Sequence, residues 1–331
     1  MRILVTGGAG FIGSNFIRCL LAEYPGDVEV VNFDKLTYAG WKHTVADLVS
    51  HPGYDFVQAD ITDAKALDRV FARGIDAVIH FAAESHVDRS ITGPDLFVTT
   101  NVGGTHCLVE AARRAAVKRF IQISSDEVYG SMPAGRRAGP DSPLEPGNPY
   151  AASKAGGDLL VLAAVRTHGF PAIITRCTNN YGPWQHPEKF IPRMTLTALQ
   201  GGALPVYGDG EQVRNWIHVE DHCRALLAVL QDGVVGRIYT ISGDDSLPNL
   251  DVARRIVELT GVGAATVQHV EDRPGHDRRY ALDDAATRAE LDWRPRRSFE
   301  AGLRTVVEWY RSSPDWWQPI TEAKSPAVRN G

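Results

Sequence analysis

A glycine-rich turn directly follows the first apolar run of the chain. The residues RILVTG predict a buried strand, and TGGAGFIG leads from it into the helical pattern NFIRCLLAEY. Gly8, Gly10 and Gly13 fit the pattern GxGxxG, and Gly7, Gly10 and Gly13 fit the looser GxxGxxG. Glycines here permit a tight turn and let the backbone approach a pyrophosphate at the helix N-terminus. Strand, turn and helix in this order predict a dinucleotide-binding unit.

Short apolar runs alternate with longer amphipathic segments over the first 180 residues. After RILVTG, strands are predicted at VEVVNF, YDFVQAD, DAVIHFAA, RFIQISS and AIITRC. Such alternation predicts an α/β fold with a Rossmann-type, doubly wound parallel sheet and helices on both faces. At 331 residues the chain is long enough for a second unit.

We expect two units that exchange segments along the chain. The NAD-binding domain is predicted at residues 1–180 together with about 215–243, because the segments HVEDHCRALLAVLQ and GRIYTISG have the pattern of a returning helix and strand. A smaller, discontinuous C-terminal substrate domain is predicted at about 181–214 together with 244–318, where glycines and prolines first crowd the chain. Residues 319–331 are expected to be a frayed tail.

Charge and cysteine content exclude several classes of protein. The net charge of −5 suggests neither nucleic acid nor an anionic membrane as a partner. The chain has no apolar run of about 18 residues and no signal-peptide pattern at its start, so we expect a cytoplasmic protein. Its four cysteines, Cys19, Cys107, Cys177 and Cys223, are scattered without a CxxC pair, so we expect neither a disulfide framework nor a metal site.

Acidic residues follow the second and third predicted strands. Asp34 stands about 20 residues after the glycine turn, where an acid can bind the ribose diol of adenosine. It would repel a 2′-phosphate, which favours NAD over NADP, although the neighbouring Lys35 can tolerate that phosphate. Asp60 has two interpretations: it faces the adenine edge, or it caps a helix before Thr62 and Asp63.

Tyr150 and Lys154 stand four residues apart in the helical segment PYAASK. Both therefore project from one face of a helix. A free tyrosine has a pKa near about 10 and is a poor base at neutral pH. A nearby ammonium and a positive nicotinamide ring would favour the phenolate. Ser125 could bind the same substrate hydroxyl, so the three residues could remove a proton from an alcohol while a hydride leaves for NAD.

The segment SSDEVYG places Asp126 and Glu127 side by side at the end of an apolar run. Adjacent acids at the end of a buried strand are costly to desolvate and compete for protons. One interpretation is structural, with Asp126 capping a turn and Glu127 in a salt bridge. The other is catalytic, with two proton-transfer groups whose apparent pKa values are split by burial and proximity.

These motifs together resemble the dTDP-glucose 4,6-dehydratases of the extended short-chain dehydrogenase/reductase superfamily. The resemblance spans residues 1 to about 280 and also rests on FDKLTYAG, HFAAESHVDRSI, RCTNNYGPWQHPEKFIP, YGDGEQVRNWIHVEDHC and DRPGHDRRY. Epimerases of the superfamily lack the adjacent acids, and GDP-mannose 4,6-dehydratases generally keep only the glutamate. Two positions depart from the family: Ser125 replaces the usual threonine, and Trp41 replaces a frequent asparagine.

The resemblance implies a hydro-lyase that carries NAD through a closed redox cycle. Tyr150 would take the proton from the C4 hydroxyl of dTDP-glucose as NAD takes the hydride. Glu127 would act as base at C5, and Asp126 as acid on the departing C6 hydroxyl. Hydride return to C6 would give dTDP-4-keto-6-deoxyglucose for deoxysugar biosynthesis. The alternatives are a 4-epimerase, a decarboxylase of the same superfamily and a non-catalytic NAD-responsive binding protein, none of which needs the acid pair.

The resemblance also implies the residues that hold each ligand. For NAD they are Gly7, Gly10, Phe11, Ile12, Gly13, Asp34, Lys35, Leu36, Thr37, Asp60, Ile61, Ala82, Thr100, Tyr150, Lys154 and Asn180. For the nucleotide-sugar they are Ser85, Ser125, Asn179, Lys189, Phe190, Pro205, Val206, Tyr207, Arg214, Asn249, Asp272 and His276. Arg214 can neutralise a diphosphate and Tyr207 can pack on the base, while His276 could equally be a core histidine. A homodimer is expected from the resemblance and from the apolar run DLLVLAAV.

Overall fold

The computed structural model describes residues 1–322. The strands are β1 (Arg2–Thr6), β2 (Glu29–Asp34), β3 (Tyr54–Gln58), β4 (Ala77–His80), β5 (Arg119–Ser125), β6 (Ala172–Cys177), β7 (Asn179–Tyr181), β8 (Ala203–Tyr207), β9 (Val213–His218), β10 (Ile238–Ile241), β11 (Asp245–Pro248) and β12 (Thr266–Val270). The α-helices are α1 (Phe11–Glu23), α2 (Ala64–Phe71), α3 (Val87–Thr92), α4 (Pro94–Phe97), α5 (Thr105–Arg114), α6 (Pro149–His168), α7 (Phe190–Leu199), α8 (Val219–Asp232), α9 (Asn249–Thr260), α10 (Ala285–Glu290), α11 (Phe299–Ser312) and α12 (Pro314–Glu322). Two 3₁₀ turns, Lys42–Leu48 and Asp126–Tyr129, and a π-helical segment, Val98–Gly104, complete the set.

Seven parallel strands form the central sheet in the order β10-β6-β5-β4-β1-β2-β3. The chain builds β1, β2 and β3 toward one edge and then returns to place β4 on the other side of β1. Ligands of doubly wound sheets bind at such a reversal, outside the carboxyl ends of the strands. The predicted Rossmann-type sheet is therefore confirmed.

Side chains of the strands alternate between two packed layers. Ile3 and Val5 of β1 belong to a buried cluster that includes Phe16 of α1 and Leu226 of α8. Leu4, which points to the opposite face, belongs to a second buried cluster. That second cluster contains residues of α2, α5 and α6. Helices thus cover both faces of the sheet, which is why its strands are apolar on both sides.

Two small sheets and a third apolar cluster form the rest of the described chain. The first sheet has the order β11-β9-β7, and the second pairs β12 with β8. Residues of α7, α9, α11 and α12 pack in the third cluster. Between these segments the chain returns to the central sheet, where β10 pairs with β6 in parallel. The boundaries of the two predicted domains stay a prediction.

The last described helix corrects one expectation. Residues 319–322, expected to begin a frayed tail, complete α12, and Ile320 is buried in the third cluster. The aromatic residues of this segment explain the difference, because the Trp316 ring packs against Trp184 and Trp309. The remainder of the predicted tail, residues 323–331, lies outside the described residues. Within residues 1–322, no helix has the length and apolar character needed to cross a bilayer.

Local sequence signals place the two chemical motifs at the carboxyl end of the central sheet. Asn148 caps α6 by accepting a hydrogen bond from the Ala151 N–H at 2.9 Å, and Pro149 occupies the first turn. Proline suits that place because its missing N–H would have no partner within the helix. Tyr150 therefore lies in the first turn of α6, with Lys154 one turn later. On the neighbouring strand, β5 ends at Ser125 and the chain turns at once into Asp126–Tyr129.

Candidate active site

A cavity of about 310 Å³ lies at the carboxyl end of the central sheet. It sits at the reversal between β1 and β4, as expected for a doubly wound sheet. Most of the predicted NAD and catalytic residues line it: Gly7, Gly10, Phe11, Ile12, Gly13, Asp34, Lys35, Thr37, Asp60, Ile61, Ala82, Thr100, Ser125, Asp126, Glu127, Tyr150, Lys154 and Asn180. The predicted substrate residues Ser85, Asn179 and Lys189 line it too.

The glycine turn leaves room for a ligand that a side chain would fill. Gly7 has φ +70°, and a Cβ there would lie 2.6 Å from the Ala82 nitrogen. A Cβ on Gly13 would lie 2.4 Å from the Gly7 carbonyl oxygen, so neither position accepts a side chain without movement of the backbone. Gly10 lines the cavity, where a side chain would take up part of its volume. These three positions fit a dinucleotide whose pyrophosphate approaches the start of α1.

Asp34 is held in place by backbone amides. Its Oδ2 accepts a hydrogen bond from the Ala9 N–H at 2.9 Å, and its Oδ1 accepts one from the Leu36 N–H at 2.7 Å. Burial raises the pKa of Asp34, and the two amide bonds oppose that rise. Leu36, predicted to contact NAD, does not line the cavity; instead its amide orients Asp34, and it adopts a φ of 59° to do so. The carboxylate is thus fixed at the wall of the cavity, and its contact with the ribose diol of NAD stays a prediction.

Asp60 forms an ion pair with Lys35, with Nζ and Oδ2 2.6 Å apart. Its Oδ1 also accepts a hydrogen bond from the Thr62 N–H at 3.0 Å. The cap of α2 is Asp63, which accepts from the Ala66 N–H at 3.1 Å. Of the two interpretations offered by the sequence, the helix cap is therefore wrong for Asp60. A contact of Asp60 with the adenine edge stays a prediction.

Tyr150, Ser125 and Lys154 meet where β5 and α6 come together. The Ser125 side chain lies near the Tyr150 phenol and opposes the rise in its pKa. Lys154 Nζ donates to the Ile123 carbonyl at 2.7 Å. Burial is the main cause, and the Glu127 carboxylate the second, that raises the pKa of Tyr150 well above its ordinary value. Burial lowers the pKa of Lys154. The protein groups alone therefore keep the phenol protonated, and the phenolate expected from the sequence needs the positive nicotinamide ring as well.

The adjacent acids have different surroundings. Asp126 is 4% exposed, and its Oδ1 accepts a hydrogen bond from Ser125 Oγ at 3.3 Å. Its Oδ2 is buried and accepts no hydrogen bond from the described residues. Burial, reinforced by the Glu127 charge, raises the pKa of Asp126 to about 8. Asp126 therefore carries a proton at neutral pH and can donate it.

Glu127 is half-buried and faces the cavity. Its Oε2 accepts hydrogen bonds from Tyr280 Oη at 3.3 Å and from Asn148 Nδ2 at 3.4 Å. Among the residues of the described chain, no lysine or arginine forms a salt bridge with it. The 3₁₀ turn is capped by Ser125, whose Oγ accepts from the Glu127 N–H at 3.2 Å. The structural interpretation of the pair, with Asp126 as the cap and Glu127 in a salt bridge, is therefore wrong.

The sequence did not predict the two hydrogen-bond partners of Glu127, which are Asn148 and Tyr280. Asn148 could have been noticed from the dipeptide Asn-Pro, a common helix start, but its second contact with Glu127 has no local signature. Tyr280 is distant in sequence and is brought to the site by the segment after β12. Its ring lies under the Arg214 guanidinium at 4.2 Å, and its hydroxyl also donates to Asp277 at 2.7 Å. Tyr280 thus links the acid pair to the predicted diphosphate-binding arginine.

The remaining predicted substrate residues lie outside the walls of the cavity. They are Phe190, Pro205, Val206, Tyr207, Arg214, Asn249, Asp272 and His276. Tyr207, Asp272 and His276 form one group: His276 Nδ1 lies 2.6 Å from Asp272 Oδ1, and the rings of Tyr207 and His276 are 6.0 Å apart. Tyr207 also donates to Asp88 at 3.3 Å, which joins this group to α3.

The other members of that set are spread over the smaller unit. Phe190 stacks on Trp216 with ring centroids 6.1 Å apart, and Val206 is buried at 1% exposure in the third cluster. Pro205 pairs with β12, and Asn249 begins α9. Arg214 is buried, and its Nη2 donates to the Asp277 carbonyl at 2.8 Å. Their roles in substrate binding stay predictions.

Comparison with known proteins agrees with this geometry. A family model described as GDP-mannose 4,6 dehydratase matches residues 4–306. The chain is 51% identical to a dTDP-glucose 4,6-dehydratase of Streptomyces niveus over 100% of this chain and 98% of that protein. It is also 51% identical to the low-salt glycan biosynthesis protein Agl12 of Haloferax volcanii, over 94% and 98% of the two chains.

A solved structure shares the fold closely. DesIV, a dTDP-glucose 4,6-dehydratase from Streptomyces venezuelae crystallised with NAD and TYD bound, superposes with a TM-score of 0.94 at 51% identity. The match covers 97% of this chain and 100% of DesIV. With these similarities, and with the glycine turn, YxxxK and the adjacent acids around one cavity, the chain belongs to the dTDP-glucose 4,6-dehydratase family of the extended short-chain dehydrogenase/reductase superfamily.

Proposed function

We propose that the protein dehydrates dTDP-glucose to dTDP-4-keto-6-deoxyglucose with a bound NAD, as a hydro-lyase of deoxysugar biosynthesis. The glycine turn and Asp34 would hold the adenosine diphosphate half of NAD, and Asn180 and Thr100 line the same cavity. When bound, NAD would supply the acceptor for the hydride of C4 and the donor of that hydride to C6. The reaction then has no net redox change, so one bound cofactor serves many cycles.

The first step needs a base for the C4 hydroxyl. Tyr150 lines the cavity beside Ser125, so one substrate hydroxyl can contact both side chains. Lys154 lies one turn further along α6 and supplies a positive charge near the phenol. The positive charges of Lys154 and of the nicotinamide ring together would favour the phenolate, which is the form of Tyr150 that can take this proton.

The second step removes water across C5 and C6. A ketone at C4 acidifies the C5 hydrogen, which Glu127 would take as a base. Asp126 would donate its proton to the C6 hydroxyl as that group departs. The step needs one ionised and one protonated carboxyl group at the same pH, and the burial of Asp126 favours its protonated form.

The single observation that carries the proposal is this unequal pair beside Tyr150. Asp126 is almost fully buried with a pKa of about 8, whereas Glu127 is half-buried and hydrogen-bonded to Asn148 and Tyr280. A 4-epimerase or a decarboxylase uses the glycine turn and YxxxK without needing a buried protonated acid. A non-catalytic NAD-responsive protein would need neither acid.

The proposed assembly of the protein rests on a group of exposed apolar residues. Four of its large exposed apolar residues lie on neighbouring segments of α3, α4, the π-helical segment and α6: Ile91, Leu96, Val98 and Leu159. Exposed apolar groups of this kind mark contact surfaces, and we propose that a second copy of the chain covers them in a homodimer.

The four cysteines are free thiols, which supports a reducing, cytoplasmic location.

Incubation with dTDP-glucose tests the catalytic proposal. Purified protein should form the keto sugar, which mass spectrometry detects as the loss of one water molecule. Parallel reactions with UDP-glucose, GDP-mannose and a nucleotide-linked uronic acid separate the rival activities. Formation of only a C4 epimer, or of carbon dioxide from the uronic acid, by NAD-replete protein would refute dehydration.

A further inference from the structure

A buried ion pair lies directly behind the catalytic residues. Asp158 Oδ2 accepts hydrogen bonds from Arg176 Nε and from Ser124 Oγ, both at 2.9 Å. The side chains of Asp158 and Arg176 are 0% and 2% exposed. Replacing a buried ion pair with well-packed apolar residues is often neutral or stabilising. A gain in stability therefore does not by itself explain why the pair lies here.

The pair joins the segments that carry the catalytic groups. Ser124 is the residue before Ser125 at the end of β5, and Asp158 lies one turn after Lys154 on α6. Arg176, on β6, donates through Nη1 to Tyr129 Oη at 2.7 Å, and its guanidinium lies 4.9 Å from the centre of that ring. Tyr129 ends the 3₁₀ turn that begins with the acid pair. A single carboxylate thus connects α6 with β5 and, through Arg176, with the turn.

Asp158 is also a charge close to Lys154. The two residues are four apart on α6 and therefore share one face of the helix. Burial lowers the pKa of Lys154, and Asp158 is the largest influence that opposes this. Burial raises the pKa of Asp158 itself, but the guanidinium of Arg176 at 2.9 Å and the Ser124 hydroxyl favour its carboxylate. Because arginine stays charged in proteins, we take the pair as ionised.

The other titratable groups near Lys154 are neutral at neutral pH. His80 of β4 has its pKa lowered to about 3 by burial, and Cys177 of β6 has its pKa raised to about 12 by burial. Before NAD binds, Tyr150 on the same helix stays a phenol, and Asp126 after β5 holds a proton, for the reasons given above. None of the four can replace a carboxylate in stabilising the ammonium.

We propose that Asp158 is a positioning residue that keeps the Lys154 ammonium charged and ties α6 to the end of β5. The inference rests on the proposed dehydration, in which Lys154 assists Tyr150. In this role the Asp158 carboxylate stabilises the Lys154 ammonium. Arg176, which does not line the cavity, keeps that carboxylate ionised.

The test titrates Lys154 directly. Protein carrying lysine labelled with carbon-13 at Cε is titrated by NMR, and a Lys154→Met variant assigns the resonance. In Asp158→Asn the pKa of Lys154 should fall by about one unit or more, the usual effect of a close opposite charge. The rate of the first turnover of dTDP-glucose is followed by nicotinamide absorbance. As the pH is raised, this rate should begin to fall at a lower pH in the variant than in wild-type protein, because Lys154 loses its proton at a lower pH.

Two further variants keep the test decisive. If Asp158→Asn does not fold because Arg176 is left without its partner, the double variant Asp158→Asn/Arg176→Met removes both charges. It should still lower the pKa of Lys154, but by less than the single change, because the positive charge of Arg176 is lost as well. Asp284→Asn is the matched control, since Asp284 is a buried carboxylate 2.9 Å from Arg288 outside the cavity. It should leave the titration of Lys154 unchanged.

The outcomes separate this inference from the proposed function. An unaltered Lys154 pKa in the Asp158 variants, or an equal fall in Asp284→Asn, would overturn the role of Asp158. Wild-type protein that does not dehydrate dTDP-glucose would refute the proposed function, while the NMR titration would still decide whether Asp158 holds the charge of Lys154.

Discussion

Replacement of Asp126 by asparagine tests the central chemical claim. Asparagine keeps the size and the hydrogen-bonding capacity of the side chain but cannot donate an acidic proton. We expect Asp126→Asn to bind dTDP-glucose and to oxidise it at C4, but to stop before water leaves from C6. The variant should therefore accumulate reduced nicotinamide within a single turnover, whereas wild-type protein should show it only transiently.

The size of the effect follows from the environment of this carboxyl group. With a pKa of about 8, roughly nine in ten molecules carry the proton at pH 7. An aspartate with an ordinary pKa of about 3.9 would carry it in only about one molecule in a thousand. Burial and the Glu127 charge together thus raise the amount of available acid by about three orders of magnitude. A loss of about 100- to 10,000-fold in the elimination rate is expected, the usual range for a general acid.

The pH dependence gives an independent measure. Because Asp126 must be protonated, the wild-type elimination rate should fall about tenfold per pH unit above pH 8. Rapid quenching with mass detection of the keto product measures this step, and nicotinamide absorbance reports the first. Near wild-type product formation by Asp126→Asn, or a rate that stays constant well above pH 8, would refute the role of the buried acid.

Four further changes probe the neighbouring groups. Glu127→Gln should abolish exchange of the C5 hydrogen with solvent; deuterium exchange read by NMR measures this, and undiminished exchange would exclude Glu127 as the base. The same change should lower the pKa of Asp126, because the second cause of its rise is removed; a pH titration of the Asp126 carboxyl carbon by NMR measures that effect. Tyr150→Phe should prevent reduction of NAD itself, which absorbance after mixing with substrate measures; normal reduction would assign the C4 base elsewhere. Gly13→Ala should weaken NAD retention at least tenfold, because its Cβ would stand 2.4 Å from the Gly7 carbonyl; calorimetric titration with NAD gives the affinity, and wild-type affinity would contradict the geometry of the turn. Arg214→Ala should raise KM more than it lowers kcat, since attraction to a diphosphate acts in ground and transition states alike; a fall confined to kcat would place Arg214 in the chemistry.

The sequence predicts those parts of the site that are built from short local patterns. The glycine turn, Asp34 and the pair Tyr150 and Lys154 each lie within one strand–turn–helix unit, so spacing alone indicates their relative places. The parallel sheet follows from the alternation of apolar runs in the same way. These features need no knowledge of distant contacts.

Other parts depend on which distant segments meet. The contact of Tyr280 with Glu127 joins residues 153 positions apart, and no local pattern announces it. The protonation of Asp126 depends on complete burial, which arises only when α6 and β6 pack around the end of β5. The tail was wrongly assigned at residues 319–322 because Trp316, which holds α12, packs against Trp184, more than a hundred residues away.

The late return of the chain to the central sheet has a consequence for synthesis on the ribosome. The edge strand β10 ends at Ile241 and pairs with β6, after β7, α7, β8 and β9 have been laid down elsewhere. About three-quarters of the chain must therefore emerge before the sheet can close and α8 can cover α1. Until then, β6 presents an unpaired apolar edge, the kind of surface that promotes aggregation. Contacts across such long sequence separations form slowly. We therefore expect the nascent chain to depend on chaperones up to this point, although the residues that line the cavity, of which Lys189 is the last, emerge earlier.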